Sequence, residues 1–328
     1  MWSVVGHEWA VELLSRSIAS EQISHAYLLT GLSRIGKTTL ARALAQALNC
    51  QRADSKAPPC GICRSCQLAR TNKHPDIQVI EPVQNHIRIE VLRALQNTAA
   101  LSPVEGRYRV FVISQIDAAT PSAVNCLLKT LEEPPARVIM VLTADRVEAV
   151  LPTIVSRCQV INLRPLPVGQ VTQDLVERGV DPSQARLLGR LSQGRIGWAF
   201  AAADSPQFLE QRDRILDKLI DLNAATYTAR FDYAEQLSKK AEQVPQILEI
   251  LGSWWHDVLM LAAGSMTPVT NIDRQAQLEQ WAARVSVQAA TAMLRSVNQT
   301  AWQVDHNANL RLALEVLMLD MPTLTRSA

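Results

Sequence analysis

Gly31-Leu32-Ser33-Arg34-Ile35-Gly36-Lys37-Thr38 lies between the apolar run Ala26-Tyr27-Leu28-Leu29-Thr30 and the helix-patterned run from Lys37 to Leu48. The octet fits G-x-x-x-x-G-K-[ST] in the strand–loop–helix setting that the pattern requires. Its glycines let successive backbone N–H groups turn inward around an anion, and the helix that begins at Lys37 aims its positive dipole end at the same point. Lys37 can reach the outer phosphates of a nucleotide and Thr38 can ligate Mg²⁺. The segment therefore predicts a site for ATP or ADP made by Gly31, Leu32, Ser33, Arg34, Ile35, Gly36, Lys37, Thr38 and Thr39. A glycine turn with a chance lysine is the bland alternative, and the flanking strand and helix oppose it.

The same alternation continues outward from the loop. Residues 7–21 have helical spacing, and Ile77–Ile80, Arg109–Ile113, Val138–Thr143 and Val160–Leu163 read as further short buried strands. Ile89–Ala99 and Ser122–Leu131 read as helices, the second stopped by Pro134-Pro135. Strands alternating with helices predict an α/β domain with a parallel sheet over residues 1–167. Beyond it no strand pattern recurs. Residues 168–205 read as a small helical lid domain and 206–328 as an all-α domain, whose Trp254, Trp255, Trp281 and Trp302 are expected in its core.

Residues 51–75 interrupt the pattern with a polar, proline-containing stretch. Here Cys50, Cys60, Cys63 and Cys66 give C-x9-C-x2-C-x2-C. Two C-x2-C steps bring three thiolates to one centre and Cys50 can close a tetrahedron, the donor set of a structural Zn²⁺ site without an open position. Unligated thiols, a disulfide pair and an iron–sulfur cluster are the alternatives. The isolated Cys126 and Cys158 read as small apolar residues.

The whole chain has 328 residues, 48% of them hydrophobic, and a formal net charge of +2. Near-neutrality gives no global electrostatic case for nucleic acid or a membrane surface, so any DNA contact is local. The first residues lack a basic and then apolar leader, and no run of apolar residues is long enough to span a bilayer. With so few cysteines for its length, the chain is expected in a reducing cytoplasm, with no membrane partner.

Several stretches together resemble the AAA+ clamp-loader family: His74-Pro75-Asp76 after the cysteine module, the segment Ile89–Leu95, Asn125 to Pro135 containing Leu127-Leu128-Lys129-Thr130-Leu131-Glu132-Glu133-Pro134-Pro135, and Thr153 to Cys158 ending in Ser156-Arg157-Cys158. The resemblance covers about residues 4–200 closely and the remainder by type. It implies an AAA+ fold and a place in a five-subunit ring, with partners of the gamma/tau motor and delta kinds, which opens a sliding clamp and closes it on primer–template DNA. The C-terminal helices would form the collar, Val5 and Gly6 would line the adenine pocket, and Arg157 would project to ATP held by the neighbouring subunit.

The resemblance also shows departures. The two acidic positions that hold Mg²⁺ and activate water fall on Ser114 and Gln115, and the lid arginine falls on Gly197, with Arg195 two residues away. A shifted register would put Asp117 in the acidic role. An intact phosphate cradle without these groups implies a subunit that binds ATP and turns it over weakly or not at all. The competing readings are the ATP-hydrolysing motor of the same family and a small-molecule kinase with a zinc-bearing lid; the kinase reading accounts for neither Ser156-Arg157-Cys158 nor the helical C-terminal third.

Overall fold

The computed structural model describes residues 2–52, 58–83, 86–205, 207–306 and 308–322. They form two compact units, Met1–Asp174 with Gly194–Trp198 and Leu175–Gln193 with Ala199–Ala328.

The first unit is built on five parallel strands: β1 (Ala26–Thr30), β2 (Ile77–Ile80), β3 (Arg109–Ile113), β4 (Val138–Ala144) and β5 (Gln159–Asn162), in the order β2-β3-β4-β1-β5. Its helices are α1 (Glu8–Ala19), α2 (Lys37–Leu48), α3 (Arg64–Arg70), α4 (Ile89–Ala99), α5 (Pro121–Glu132) and α6 (Pro152–Val155). The central strands are apolar at consecutive positions because both faces are covered. Tyr27, Leu29, Val110, Val112, Ile139 and Val141 share one core with Leu14 of α1 and Leu40 and Leu44 of α2. The alternate residues Leu28, Phe111, Ile113, Met140 and Leu142 share the other with Leu92 and Leu95 of α4 and Leu127 and Leu131 of α5. Thr120 caps α5 by accepting from the Ala123 N–H, and Pro121 occupies the first turn, where its missing N–H costs nothing.

The expected strands are all present. β4 runs one residue further than predicted, and the last strand begins at Gln159 and ends at Asn162 rather than running from Val160 to Leu163. Two helices were not predicted: the short α6 and, inside the stretch taken as irregular, α3. The N-cap of α3 is Cys63, whose Sγ accepts from the Cys66 N–H, so the C-x2-C step is itself the first helical turn.

The chain crosses between the units three times: within α7 (Val168–Glu177), between Gln193 and Gly194 after α8 (Pro182–Leu191), and within α9 (Ile196–Ala203). The second unit continues with α10 (Gln207–Asn223), α11 (Tyr227–Ser238), α12 (Val244–Ala262), α13 (Gln275–Ala282), α14 (Val287–Asp305) and α15 (Leu310–Asp320). In this unit α12 packs on α14, α11 on α15 and α14 on α15. Trp254 and Trp255 are fully buried and meet the half-buried Trp281 edge-on, with ring centroids 5.4 and 5.5 Å away. Trp302 departs from the expectation: it is 57% exposed and stacks on His306, one helical turn on, at 4.1 Å. Its helical spacing was read correctly, but periodicity does not tell which stripe of α14 faces inward. No described helix is long and apolar enough to cross a membrane.

A charge holds the end of this unit together. Arg230 of α11 is 1% exposed, and its guanidinium donates to the carbonyls of Leu222 (2.8 Å), Asn223 (3.0 Å), Met318 (3.1 Å) and Met321 (2.6 Å). These carbonyls terminate α10 and α15, where the last turn leaves acceptors without intrahelical donors. Arg230→Met keeps the apolar volume but removes every donor. It is expected to lower the unfolding free energy of this unit by about 2–4 kcal/mol, measurable by urea titration followed through the buried tryptophans.

Candidate nucleotide and metal sites

Two side-chain clusters in the first unit carry chemistry. The first surrounds the Gly31–Thr38 loop, which leaves β1 and enters α2. Gly31 has φ +141°, and a Cβ there would lie 2.5 Å from the Leu163 carbonyl oxygen, so only glycine fits between the loop and β5. α2 begins without a side-chain cap, which leaves its first N–H groups directed into the loop. Ser33, Arg34 and Thr39 are exposed, Ile35 is buried, and Leu32 is on the surface.

Lys37 is buried, and its Nζ donates to the Gly31 carbonyl at 2.5 Å, the Leu32 carbonyl at 2.9 Å and Asp145 Oδ1 at 2.7 Å. Thr38 Oγ1 lies 3.4 Å from Ser114 Oγ, immediately past β3. The side chain beside the Thr38 hydroxyl is thus a serine. Gln115 follows with φ +53°, its N–H donating to Thr143 Oγ1 at 3.0 Å. Asp117 lies on the 3-10 turn Ile116–Ala118, where its Oδ2 accepts from the Asp145 N–H at 3.3 Å. Burial, together with the nearby Asp145 charge, pushes the Asp117 carboxyl up, against the N–H donors and Lys37.

Near the N-terminus, Val5 is exposed and Gly6 is buried against Leu166. His7, which sequence reasoning did not single out, is 2% exposed, and its Nε2 donates to the Ile35 carbonyl at 3.0 Å, tying this segment to the Gly31–Thr38 loop. A groove of about 400 Å³ opens at the carboxyl ends of β1, β4 and β5, lined among others by Thr30, Gly31, Asp145, Arg146, Asn162 and Arg164. That is where open α/β sheets place their ligands.

Gly197, at the expected lid-arginine position, lies against the loop backbone: a Cβ there would be 2.7 Å from the Arg34 carbonyl oxygen. Arg195 has its guanidinium over the Trp198 ring, 5.6 Å from the centroid. Arg157 is one-third exposed at the end of α6, pairs with Glu132 Oε1 at 2.8 Å and donates from Nη1 to the Thr153 carbonyl at 2.8 Å. The structure therefore supplies a partner for Arg157 within the chain, from the Leu131-Glu132-Glu133 part of the family motif.

The second cluster is the cysteine module. The Sγ atoms of Cys50, Cys60, Cys63 and Cys66 all lie within 4.8 Å of one another. A tetrahedron with Zn–S bonds near 2.3 Å has edges of about 3.8 Å, so the four sulfurs fit one zinc ion with a small contraction. Backbone N–H groups of Cys60, Cys63 and Cys66 donate to the sulfurs of Cys50, Cys60 and Cys63, each at 3.4 Å. Burial raises the Cys60 thiol, but the N–H donors of Cys63 and Ile62 outweigh it and bring it to about 6; burial keeps Cys50 and Cys66 up. A divalent cation held by these four residues would supply the charge that lets all of them ionise. Cys126 and Cys158 are remote from this cluster and half-buried. The Cys126 thiol donates to Gln96 Oε1 at 2.9 Å, and burial pushes Cys158 up to about 12.

The module is bolted to the sheet. Ser65 Oγ donates to the Asn49 carbonyl at 2.6 Å and lies 3.0 Å from His74 Nε2, while His74 Nδ1 accepts from the Asp76 N–H at 3.1 Å. Because Nδ1 is an acceptor, the imidazole is neutral with its proton on Nε2, and burial lowers its pKa in agreement. Asp76 is 1% exposed, and its carboxylate accepts from the N–H groups of Val104 (2.7 Å), Glu105 (2.8 Å) and Gly106 (2.7 Å), with Arg109 Nη2 at 3.4 Å. His74-Pro75-Asp76 is thus a structural joint.

A family model described as "DNA polymerase III, delta subunit" matches residues 6–167, and one described as "DNA polymerase III, delta subunit, C terminal" matches residues 206–323. The chain belongs to the DNA polymerase III clamp-loader family. A curated member, the DNA polymerase III subunit delta' of Bacillus subtilis, is 28% identical over 312 residues, 94% of each chain. The gamma/tau subunit of Mycobacterium tuberculosis is 39% identical over 165 residues, which are 50% of this chain and 28% of that protein. This family member therefore spans nearly all of a delta' relative but under a third of that gamma/tau chain. Among solved structures, a gamma subunit-related protein from Thermotoga maritima matches at 17% identity and a TM-score of 0.42, covering 94% of this chain and 97% of that one.

Metal analysis is expected to find about one zinc per chain, and Cys63→Ser to expose residues 50–66 to proteolysis while the sheet survives, since structural zinc contributes on the order of 10 kcal/mol to isolated modules. For Asp76, burial raises the carboxyl, but the three N–H donors and Arg109 outweigh it and hold it below the usual aspartate range. Its contribution to stability is complete above the ordinary pKa of about 3.9 and vanishes as the pH falls through the lower folded value. Asp76→Asn is expected to cost about 3 kcal/mol at pH 7, and the gap to wild type to narrow in urea titrations below about pH 4.

Proposed function

We propose that this chain acts as the delta-prime-type subunit of the clamp loader: it binds ATP or ADP without effective turnover and lends Arg157 to a neighbouring motor subunit during loading of the sliding clamp onto primed DNA. The observation that carries the reading is Thr38 Oγ1 facing Ser114 Oγ at 3.4 Å, a hydroxyl where a hydrolysing site needs a carboxylate. Gly31–Thr39 would hold the phosphates, Thr38 would contact Mg²⁺, and Val5 and Gly6 would border the base. The bound Mg²⁺–nucleotide would supply phosphate charge and little else, because neither Ser114 nor Gln115 can take a proton from water.

In this reading residues 168–205 serve as the lid and 206–328 as the collar that meets the other subunits, and the protein works in the cytoplasm. Arg157 supports the trans role by position: it is one-third exposed, and its described contacts use three of five N–H donors. Its bond to Glu132 orients the guanidinium, whose planar fork can hold two phosphate oxygens. The 39% identity to a gamma/tau chain over 165 residues favours the motor reading instead; Ser114, Gln115 and Gly197 oppose it.

The test is reconstitution of the loader with one altered subunit. With Arg157→Ala in this chain only, clamp- and DNA-stimulated ATP turnover at the adjacent site is expected to fall on the order of 10³-fold, without loss of assembly, and Arg157→Lys is expected not to restore it. The isolated chain should bind nucleotide, lose it with Lys37→Ala, and show no steady-state hydrolysis. Wild-type turnover in the Arg157→Ala loader, or robust hydrolysis by the isolated chain, overturns the corresponding half of the proposal.

A further inference from the structure

Lys37 has three N–H bonds, and all three are engaged: with the Gly31 carbonyl, the Leu32 carbonyl and Asp145 Oδ1. Two of these acceptors are neutral groups of the loop itself. The third is an anion from a different element, and the phosphate-loop pattern neither contains nor requires it. The Lys37 side chain is 7% exposed and that of Asp145 42%, so solvent reaches the pair from the carboxylate side.

Asp145 is placed there by two constraints. The β1–β4 register pairs Thr30 with Ala144, so the residues that follow, Gly31 and Asp145, leave the sheet side by side. Asp117 Oδ2 accepts from the Asp145 N–H at 3.3 Å and steadies the turn. An ammonium that is to touch a phosphate oxygen must release one acceptor or share its charge. A carboxylate already on Nζ offsets the attraction that would draw a phosphate in, and it repels the added charge of a terminal phosphate at short range.

We propose that Asp145 is a built-in competitor for the terminal phosphate, which holds Lys37 when no nucleotide is bound and biases the site toward nucleoside diphosphate over triphosphate. The inference rests on the reading of the loop as a nucleotide site and adds its specificity. Lys37 serves the two outer phosphates. A triphosphate brings more negative charge to this end of the loop than a diphosphate, so the penalty from Asp145 is larger for the triphosphate. A site so biased keeps its diphosphate when the surrounding ATP level changes, and acts as a filled structural element more than as a sensor.

Fluorescent ADP and a fluorescent non-hydrolysable ATP analogue, each titrated into the full-length chain at fixed Mg²⁺, test this. Wild type is compared with Asp145→Asn, which keeps an acceptor and removes the charge, and with Lys37→Ala; thermal melting checks that each variant is folded. Wild type is expected to bind the diphosphate about tenfold more tightly, and Asp145→Asn to tighten triphosphate binding about tenfold with a several-fold smaller effect on diphosphate. Binding by Asp145→Asn where wild type binds neither nucleotide also supports the inference. If Lys37→Ala abolishes binding but Asp145→Asn leaves the diphosphate-to-triphosphate ratio unchanged, the inference fails while the nucleotide reading stands. If Asp145→Asn weakens the triphosphate, Asp145 assists phosphate or Mg²⁺ and the inference is reversed. If neither wild type nor Asp145→Asn binds either nucleotide, the nucleotide reading fails and takes this inference with it.

Discussion

The pairing of β1 with both β4 and β5 sets Thr30 opposite Ala144 on one side and opposite Asn162 on the other. Everything at the candidate nucleotide site is downstream of that register. It brings the Gly31–Thr38 loop against Leu163, which is why residue 31 must lack a Cβ, and it delivers Asp145 to Lys37. The register is in turn fixed by burial on both faces. A shift of one residue would exchange Leu28 and Leu29, and Val141 and Leu142, between two cores lined by different helices.

A second dependence runs through Asp76. Its carboxylate gathers three N–H groups of the segment before β3, while its own N–H fixes the His74 ring that holds Ser65 of the cysteine module. The cysteine module and β3, which leads to Ser114, are therefore parts of one hydrogen-bonded body. This explains how an insert with little apolar surface of its own stays registered on the sheet: the buried charge would be costly without its donors, and only one placement of residues 104–106 supplies all of them.

Much of the fold was legible because the local signals agree. Strand runs, the loop octet and the proline stops each point to the same alternation, and the expected strands and sheet-domain helices are present to within a residue or two. α3 was hidden because a seven-residue helix nucleated by Cys63 has too few positions to show a period. The loop residues and the four cysteines were legible from spacing. His7 and Asp145 were not, since each reaches the loop only through tertiary pairing; the sole signal for Asp145 was its place just past a strand, whose neighbour is known only once the strand order is known. Trp302 was misplaced because an aromatic stripe records a helix but not which side of it is covered.

Gly197 bears on the substitutions open to such a chain. Glycine and arginine codons can differ by a single base, so a lid arginine is within easy genetic reach. Sterically it is not, because the first carbon of any side chain at 197 would meet the Arg34 carbonyl oxygen at 2.7 Å. The Gly31–Thr38 loop would have to retreat before the substitution became tolerable, and a retreat would serve nothing without the substitution. The close backbone contact thus acts as a steric lock: a larger residue at 197 requires a second, coordinated change in the loop, and neither change is favoured alone.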